Sequence, residues 1–175
     1  MKAILLCFGL SFVLESIAFA ELGDSPEQVG REMKQGRLVG VNEGLDRHVI
    51  EASFSNDGVM LIIFLDGRVC RETRVREGDA PQDKYIQLLL TKGSGHSWSE
   101  MKTGNPNRRW RRDDGVDIIY GAIDKVPAVK HAVCITAPEF IQHLQRMVTN
   151  DGADVPGTCP SVEQVRSAIE AGMRP

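Results

Sequence analysis

The chain has 175 residues, a formal net charge of −3 and 42% hydrophobic residues. This hydrophobic content is sufficient for a packed core and excludes a wholly disordered chain. The mildly acidic balance provides no general attraction to nucleic acid or to an anionic membrane surface, so neither is expected as a partner.

The first twenty residues have the order and lengths of a secretory signal peptide. Lys2 gives the positive start, residues 3–14 form an apolar run, and Ala18-Phe19-Ala20 has the small-x-small form that signal peptidases recognise. The apolar run is too short for a transmembrane helix, which needs about 20 residues. The alternative interpretation is a buried N-terminal helix. We therefore predict cleavage after Ala20, a secreted or periplasmic location, and no transmembrane segment in the mature chain.

Three cysteines, Cys70, Cys134 and Cys159, follow the predicted signal peptide. Because their number is odd, at least one of them is an unpaired thiol or forms a disulfide with another chain. Cys70 and Cys134 lie in apolar, strand-like stretches, which favours small core residues over metal ligands. An exported protein meets oxidising conditions that permit a disulfide without demanding one, so the pairing stays open.

An internal similarity recurs at an offset of 57 residues. It aligns Asp57-Gly58-Val59 with Asp114-Gly115-Val116, and Ile62 with Ile119. The same offset aligns a helix signal at Val29, Met33 and Gly36 with one at Ile86, Leu90 and Gly93. Such self-similarity indicates a repeated structural unit, and we predict a first unit over residues 21–80 and a second over residues 81–137.

The first unit begins with a helix near residues 25–35. Ser25 is a suitable N-cap, Pro26 fits the first turn, and Gly36 ends the helical pattern. Strands are predicted at 48–55, 59–65 and 68–76, separated by turns at Asn56-Asp57-Gly58 and Asp66-Gly67. The charged third strand suits an outer position, because charge discourages edge pairing.

The second unit repeats this order. A helix is predicted near residues 82–91, then a loop over 93–107, then strands at 108–112, 116–123 and 129–136. Residues 138–175 are predicted to form a tail of two amphipathic helices joined by a linker rich in Asn, Asp, Gly and Pro. The expected fold is therefore α+β, with two tandem helix-plus-three-stranded antiparallel units and a helical C-terminal tail.

The opening segment Gly23-Asp24-Ser25-Pro26-Glu27-Gln28-Val29, with Gly36 after it, is similar to the short first helix of helix-plus-meander modules. Two such units in tandem resemble the family of beta-lactamase inhibitor proteins, and the single unit resembles the small lipoprotein of the bacterial barrel-assembly machinery. The resemblance covers residues 21–137 and implies a secreted bacterial binding module that is not an enzyme. The chain departs from it by lacking a lipid-attachment cysteine after the signal and paired cysteines at the loops, and by its two additional helices.

The most unusual local composition is Arg108-Arg109-Trp110-Arg111-Arg112. On a strand, Arg108, Trp110 and Arg112 share one face. Arginine beside an aromatic ring can stack on it and can bind carboxylates, and both residue types are common at interface hot spots. These three residues are the predicted binding surface for an acidic protein or peptide partner. The alternative is that Trp110 packs in the core while the arginines pair with Asp113, Asp114 or Glu100.

No motif predicts catalysis, a metal or a cofactor. His96 lies beside Ser94 and Ser97 without a nucleophile elbow. His131 and Cys134 are three apart on a strand, so they face opposite sides and cannot share an ion. His48 and His143 are isolated in the sequence.

The sequence therefore favours a secreted or periplasmic protein-binding module of unknown target. Two alternatives remain from other classes. The first is a small extracytoplasmic hydrolase built on His96 or His131, which needs polar groups converging in a concave pocket. The second is a structural, envelope-associated protein that docks through the helices of residues 138–173.

Overall fold

The computed structural model describes residues 20–55, 58–76, 82–91, 95–102, 107–121, 131–149 and 159–174. The helices are α1 (Pro26–Glu32), α2 (Gln82–Thr91), α3 (Pro138–Thr149) and α4 (Val162–Met173). The strands are β1 (Arg37–Glu43), β2 (Val49–Ser55), β3 (Val59–Leu65), β4 (Arg68–Arg76), β5 (Trp98–Met101), β6 (Arg108–Arg112), β7 (Asp117–Gly121) and β8 (His131–Thr136). The predicted signal peptide up to residue 19, the turn residues Asn56-Asp57 and the linker over residues 150–158 lie outside the described ranges. Within those ranges, no helix combines the length and the apolar character needed to cross a bilayer.

All eight strands form one antiparallel sheet in the order β1-β2-β3-β4-β8-β7-β6-β5. Each half of the chain contributes a helix followed by a four-stranded meander. The last strands of the two meanders, β4 and β8, pair from Arg71↔Thr136 to Arg76↔His131 and so join the halves. The expected fold of two separate three-stranded units is therefore wrong, because this pairing merges both meanders into a single sheet.

The two strands that sequence analysis missed, β1 and β5, are the sheet edges. No residue of β5 is buried, and β1 buries only Val41 and is interrupted by a register shift between Leu38 and Gly40. An edge strand with so few core contacts shows little apolar alternation, and alternation is the signal by which a strand is recognised. β5 accordingly lies inside the stretch that was expected to be a loop.

One face of the sheet, here called the closed face, is covered by α1, α4 and α2. Residues of this face pair across all eight strands in the row Val41, Ala52, Ile62, Glu72, Ile135, Ile118, Trp110 and Glu100. The first half packs on α1 and α4 through a core that includes Phe54, Ile62 and Phe64. The second half packs on α2 through a separate core around Trp110. A buried Glu72–Arg74 ion pair lies on β4, between the two cores.

The C-terminal helices are not a tail, which corrects the last part of the expected fold. α4 returns to the first half and packs directly on α1, where Gly30 and Gly172 allow the two backbones to come close. Val165 and Ile169 of α4 are fully buried in the first core. α3 instead packs on the opposite face of the sheet, where Phe140 is buried. Both C-terminal helices therefore complete the fold.

Cys70 and Cys134 lie on β4 and β8, the fourth strands of their halves, and not on third strands as predicted. Both are buried, and no disulfide joins any of the three described cysteines. Burial raises the pKa of the Cys70 thiol to about 12, so this group is an inert core thiol.

Strand register also refines the internal repeat. The 57-residue offset aligns Ile62 with Ile119, yet these side chains lie on opposite faces of the sheet. The residue in the same row as Ile62 is Ile118, which is buried like Ile62, whereas Ile119 is exposed. A shift of one residue along a strand exchanges its two faces, so this single position decides which isoleucine belongs to the core.

Candidate functional site

The predicted binding residues lie side by side on β6, on the closed face. Trp110 is only 4% exposed and packs against Ile86 and Leu89 of α2. The Arg108 guanidinium stacks 4.6 Å from the centre of the Trp110 ring. Trp110 is therefore a core residue beneath a helix, as in the alternative interpretation of this motif.

The flanking arginines have carboxylate partners at the sheet edge. The Arg108 Nε donates to Glu100 at 3.1 Å, and Arg112 donates two hydrogen bonds to Asp114, at 2.8 and 2.7 Å. Arg112 also stacks over the Trp98 ring at 5.6 Å. Both arginines stay partly exposed, but the ring that was to anchor a partner between them is not accessible.

The histidines considered for catalysis are held by neighbours on the same sheet. His96 Nδ1 lies 2.7 Å from Asp113, and Ser97 Oγ donates to the same carboxylate at 3.1 Å and not to His96. Backbone and side-chain hydrogen bonds from Ser97 and His96 lower the pKa of Asp113 to about 2. His131 Nδ1 lies 2.9 Å from the Tyr120 hydroxyl. Ser97, the hydroxyl considered as a nucleophile beside His96, is therefore bonded to Asp113 and not to that histidine.

The second face of the sheet, here called the open face, carries a row of mixed apolar and basic side chains. The row crosses β3, β4, β8, β7, β6 and β5 in that order, and its residues are Leu61, Thr73, Cys134, Ile119, Arg109 and Met101. Beside it, Val59 pairs with Val75. The exposed fractions of Val59, Ile119 and Met101 are 55%, 39% and 39%. Antiparallel sheets usually leave polar side chains on a solvated face, so three exposed apolar side chains in this area distinguish it.

Of the described helices, α3 alone packs on the open face, and it covers only one part of it. Its core contacts are with Val49, Ile63 and Cys70, towards β2 and the start of β4. On the part formed by β6, β7 and β8, the Ile119 side chain stays exposed. The open face is thus divided into a closed corner under α3 and an accessible area centred on Ile119.

Two arginines on the accessible area are fixed by one buried carboxylate. Asp117 is buried at the start of β7 and accepts hydrogen bonds from Arg109 and, at 2.8 and 3.0 Å, from Arg111. Burial opposes ionisation of Asp117, but the hydrogen bonds and charges of the two arginines outweigh it and hold its pKa below the usual value. The carboxylate therefore stays ionised and orients both guanidinium groups, which remain about a third to a half exposed.

The charge of this area opposes that of the whole chain. On the described strands β4, β8, β7, β6 and β5, the open face carries Arg71, Arg109 and Arg111 and one carboxylate, that of Asp117, while the chain has a net charge of −3. The Arg71 Nε donates to Cys134 Sγ at 2.9 Å, so this arginine also lies flat on the sheet. The accessible area is consequently basic and apolar together.

The sequence-based prediction chose the alternate positions of β6 that include the buried Trp110, and Arg108 among them is as exposed as Arg111 on the other face. The five-residue motif places Arg109 and Arg111 on the face opposite Trp110, which is the open face, where α3 covers only one part. The adjacent residues Ile118 and Ile119 on the neighbouring strand indicate an apolar side chain on this second face, because only one of two adjacent strand residues can face the core.

No family model, no curated protein and no solved structure matches this chain. The resemblance to helix-plus-meander binding modules therefore stays a prediction from the sequence.

Proposed function

We propose that this protein is a secreted or periplasmic binding module that holds a protein partner on the open face of its sheet. The observation that carries the proposal is the exposed apolar area around Ile119 beside the two arginines fixed by Asp117. Exposed apolar side chains cost free energy in water, and Ile119 and Met101 are two such side chains on either side of Arg109 in one row.

The chemistry of this area indicates the kind of partner. Arg109 and Arg111 are already oriented, so binding a carboxylate costs them less side-chain entropy than it costs a freely moving arginine. Ile119 and Met101 provide apolar contact in the same row. The complementary surface is an apolar patch with acidic residues at its edge. Charge complementarity of this kind raises the association rate and weakens with salt.

Export is the second part of the proposal and rests on the signal-peptide pattern. One contact near the expected cleavage site is compatible with it, although Ala20, which cleavage removes, is buried in the first core. The Glu21 backbone nitrogen lies 2.7 Å from Asp24 Oδ2. After cleavage this nitrogen becomes the positively charged amino terminus, and Asp24 is in place as its counter-ion.

A photo-crosslinking amino acid at position 119 tests the binding surface. The same probe at position 39, where Val39 is exposed on the edge strand β1, is the matched control. The probes are introduced into the full chain, in the cells from which it comes. We expect one prominent adduct from position 119 and none of the same mass from position 39.

The captured partner is then purified and its affinity measured directly. Ile119→Glu should weaken binding at least tenfold, which corresponds to about 1.4 kcal/mol, because it places a negative charge in a basic, apolar interface. Val39→Glu should leave the affinity unchanged, and added salt should lower it for the unmodified protein. Equal adducts from both positions, or equal effects of both substitutions, would contradict the proposal.

A further inference from the structure

Three metal-binding side chain types meet at one end of the first half of the molecule. His48 precedes β2, Asp66 is in the turn between β3 and β4, and Cys159 precedes the N-cap of α4. His48 Nδ1 lies 2.9 Å from Cys159 Sγ and 2.9 Å from Asp66 Oδ1, and the sulfur lies 3.3 Å from the same oxygen. Three different donor atoms thus form a small triangle, here called the His-Asp-Cys cluster.

The backbone fixes the positions of all three side chains. The Asp66 N–H donates to the His48 carbonyl at 3.0 Å, which holds these two residues opposite each other at the end of the β2–β3 pair. Asp66 has φ of 50°, a left-handed conformation that aspartate and asparagine tolerate better than most residues. A side chain on the next residue, Gly67, would meet the Pro160 ring at 3.0 Å. Pro160 therefore packs tightly on this turn and positions Cys159 next to it.

Charged and titratable neighbours surround the cluster. The Arg47 Nε donates to His48 Nε2 at 3.3 Å. His143 of α3 lies with its ring centre 6.1 Å from that of His48, and its Nε2 is 2.8 Å from Asp46 Oδ2. Two histidines, two aspartates, one cysteine and one arginine therefore lie close together at this end of the molecule.

The arrangement is not that of a cysteine hydrolase. In a catalytic triad the nucleophile and the carboxylate contact different ring nitrogens, whereas here Cys159 and Asp66 both contact His48 Nδ1. Burial and the hydrogen bond to Asp66 raise the pKa of the Cys159 thiol, so it rests as a thiol and not as a thiolate.

We propose that the His-Asp-Cys cluster is a binding site for a zinc-type divalent cation, with His48 Nδ1, Asp66 Oδ1 and Cys159 Sγ as its ligands. Sulfur, imidazole and carboxylate together favour zinc over magnesium or calcium, which prefer oxygen ligands. Around tetrahedral zinc, such donor atoms lie about 3.3–3.6 Å apart. The Nδ1–Oδ1 and Sγ–Oδ1 spacings need to widen by only a few tenths of an ångström, and the Nδ1–Sγ spacing of 2.9 Å needs to widen by about 0.6–0.7 Å.

Binding the ion changes two proton positions. The thiol proton of Cys159 goes to solvent, because the thiolate is the ligand. The Nδ1 lone pair of His48 must be available, so its ring proton moves to Nε2, and the hydrogen bond that Nε2 accepts from Arg47 is lost. One proton is therefore released for each ion bound, and affinity rises with pH until the thiol is fully ionised.

Cys159, one of the three proposed ligands, lines a cavity of about 970 Å³ together with Glu43, Arg47 and Gln164. Three protein ligands leave one position of a tetrahedral ion for water or another small ligand, and Cys159 places the ion beside the cavity.

Cobalt(II) titration of the chelator-treated, reduced full chain tests the site. Co²⁺ bound to a thiolate gives an intense near-ultraviolet charge-transfer band, which reports the Cys159 ligand directly. We expect saturation at one equivalent, displacement of Co²⁺ by Zn²⁺, and protection of Cys159 from alkylation by Zn²⁺. Release of one proton for each ion is measured in weakly buffered solution.

Variants separate this site from nonspecific binding. Cys159→Ser should abolish the charge-transfer band, and Asp66→Asn should weaken binding at least tenfold while preserving the left-handed turn. His96→Gln is the matched control, because His96, Asp113 and Asp114 form another cluster of possible ligands, one without sulfur. Circular dichroism confirms that each variant is folded.

Any one of three results would overturn the proposal. The first is the absence of a thiolate band at stoichiometric Co²⁺, the second is a band that persists in Cys159→Ser, and the third is loss of binding in His96→Gln. None of the ligands lies on the open face, so such a failure leaves the proposed partner-binding function untouched.

Discussion

The contact between α1 and α4 gives the sharpest stability prediction. A Cβ atom built on Gly30 overlaps the carbonyl oxygen of Ile169, and it lies 2.9 Å from that carbonyl carbon and 3.0 Å from the Gly172 Cα. All three neighbours are backbone atoms, so no side chain can rotate away. Gly30→Ala therefore forces the two helices apart by about 1 Å, which is the kind of overpacking that costs about 1–3 kcal/mol.

The higher helix propensity of alanine opposes this loss of stability, so the sign of the change in unfolding free energy distinguishes the two effects. In an isolated helix, alanine in place of glycine is favourable by about 1 kcal/mol. Because all three close contacts are with backbone atoms, we expect the upper end of the overpacking range and a net loss of about 2 kcal/mol. For a chain of this size such a loss lowers the melting temperature by about 4–8 °C.

Thermal and urea unfolding followed by circular dichroism measures this effect. Ser167→Ala, at an exposed position of α4, is the control and should change stability by only a few tenths of a kcal/mol. An unchanged or raised melting temperature for Gly30→Ala would show that the helices do not approach as closely as described.

Three further predictions concern the second core, the open face and the N-terminus. Trp110→Ala should lower the free energy of unfolding by about 3–5 kcal/mol, as for other buried aromatic residues; a loss below about 1 kcal/mol in urea unfolding would contradict its core position. Asp117→Asn should cost about 1–3 kcal/mol at neutral pH, because charged hydrogen bonds are lost. The folded-state pKa of Asp117 is lowered, so its stabilisation is present above the unfolded pKa and disappears as pH falls through the folded one. The difference in unfolding free energy between the two proteins should therefore begin to shrink as pH falls below about 4, the unfolded pKa, and vanish only below the folded pKa; a constant difference would exclude this origin. N-terminal sequencing of the exported protein should begin at Glu21, and a retained Met1 would refute cleavage.

Sequence reasoning located the elements with strong local signals. Ser25 and Ser161 both form capping boxes, with Gln28 and Gln164 respectively. α1 lies within its predicted range of 25–35, and α4 lies within the region 138–175 that was predicted to contain two helices. The turns with Gly67 and Gly115 have positive φ and connect strands that were predicted on both sides. In each case the deciding interactions lie within a few residues, so the sequence contains them directly.

The remaining features depend on residues far apart in the chain. Nothing local to β4 or β8 indicates that they pair, and a charged strand such as β4 was expected at an outer position although it lies at the centre of the sheet. There, Glu72 and Arg74 neutralise each other on the closed face. The His-Asp-Cys cluster likewise joins His48 to Cys159 across more than half of the chain, so no spacing motif reveals it.

The pairing of β4 with β8 also has a consequence for how the chain folds. Within each half, neighbouring strands are joined by short connections, whereas this pairing brings together residues about sixty positions apart, whose closure costs more chain entropy. Contacts between distant residues slow folding, so we expect the two meanders to form first and their joining to be the late step. Weakening this single strand pair should then let the two hydrophobic cores melt at different temperatures.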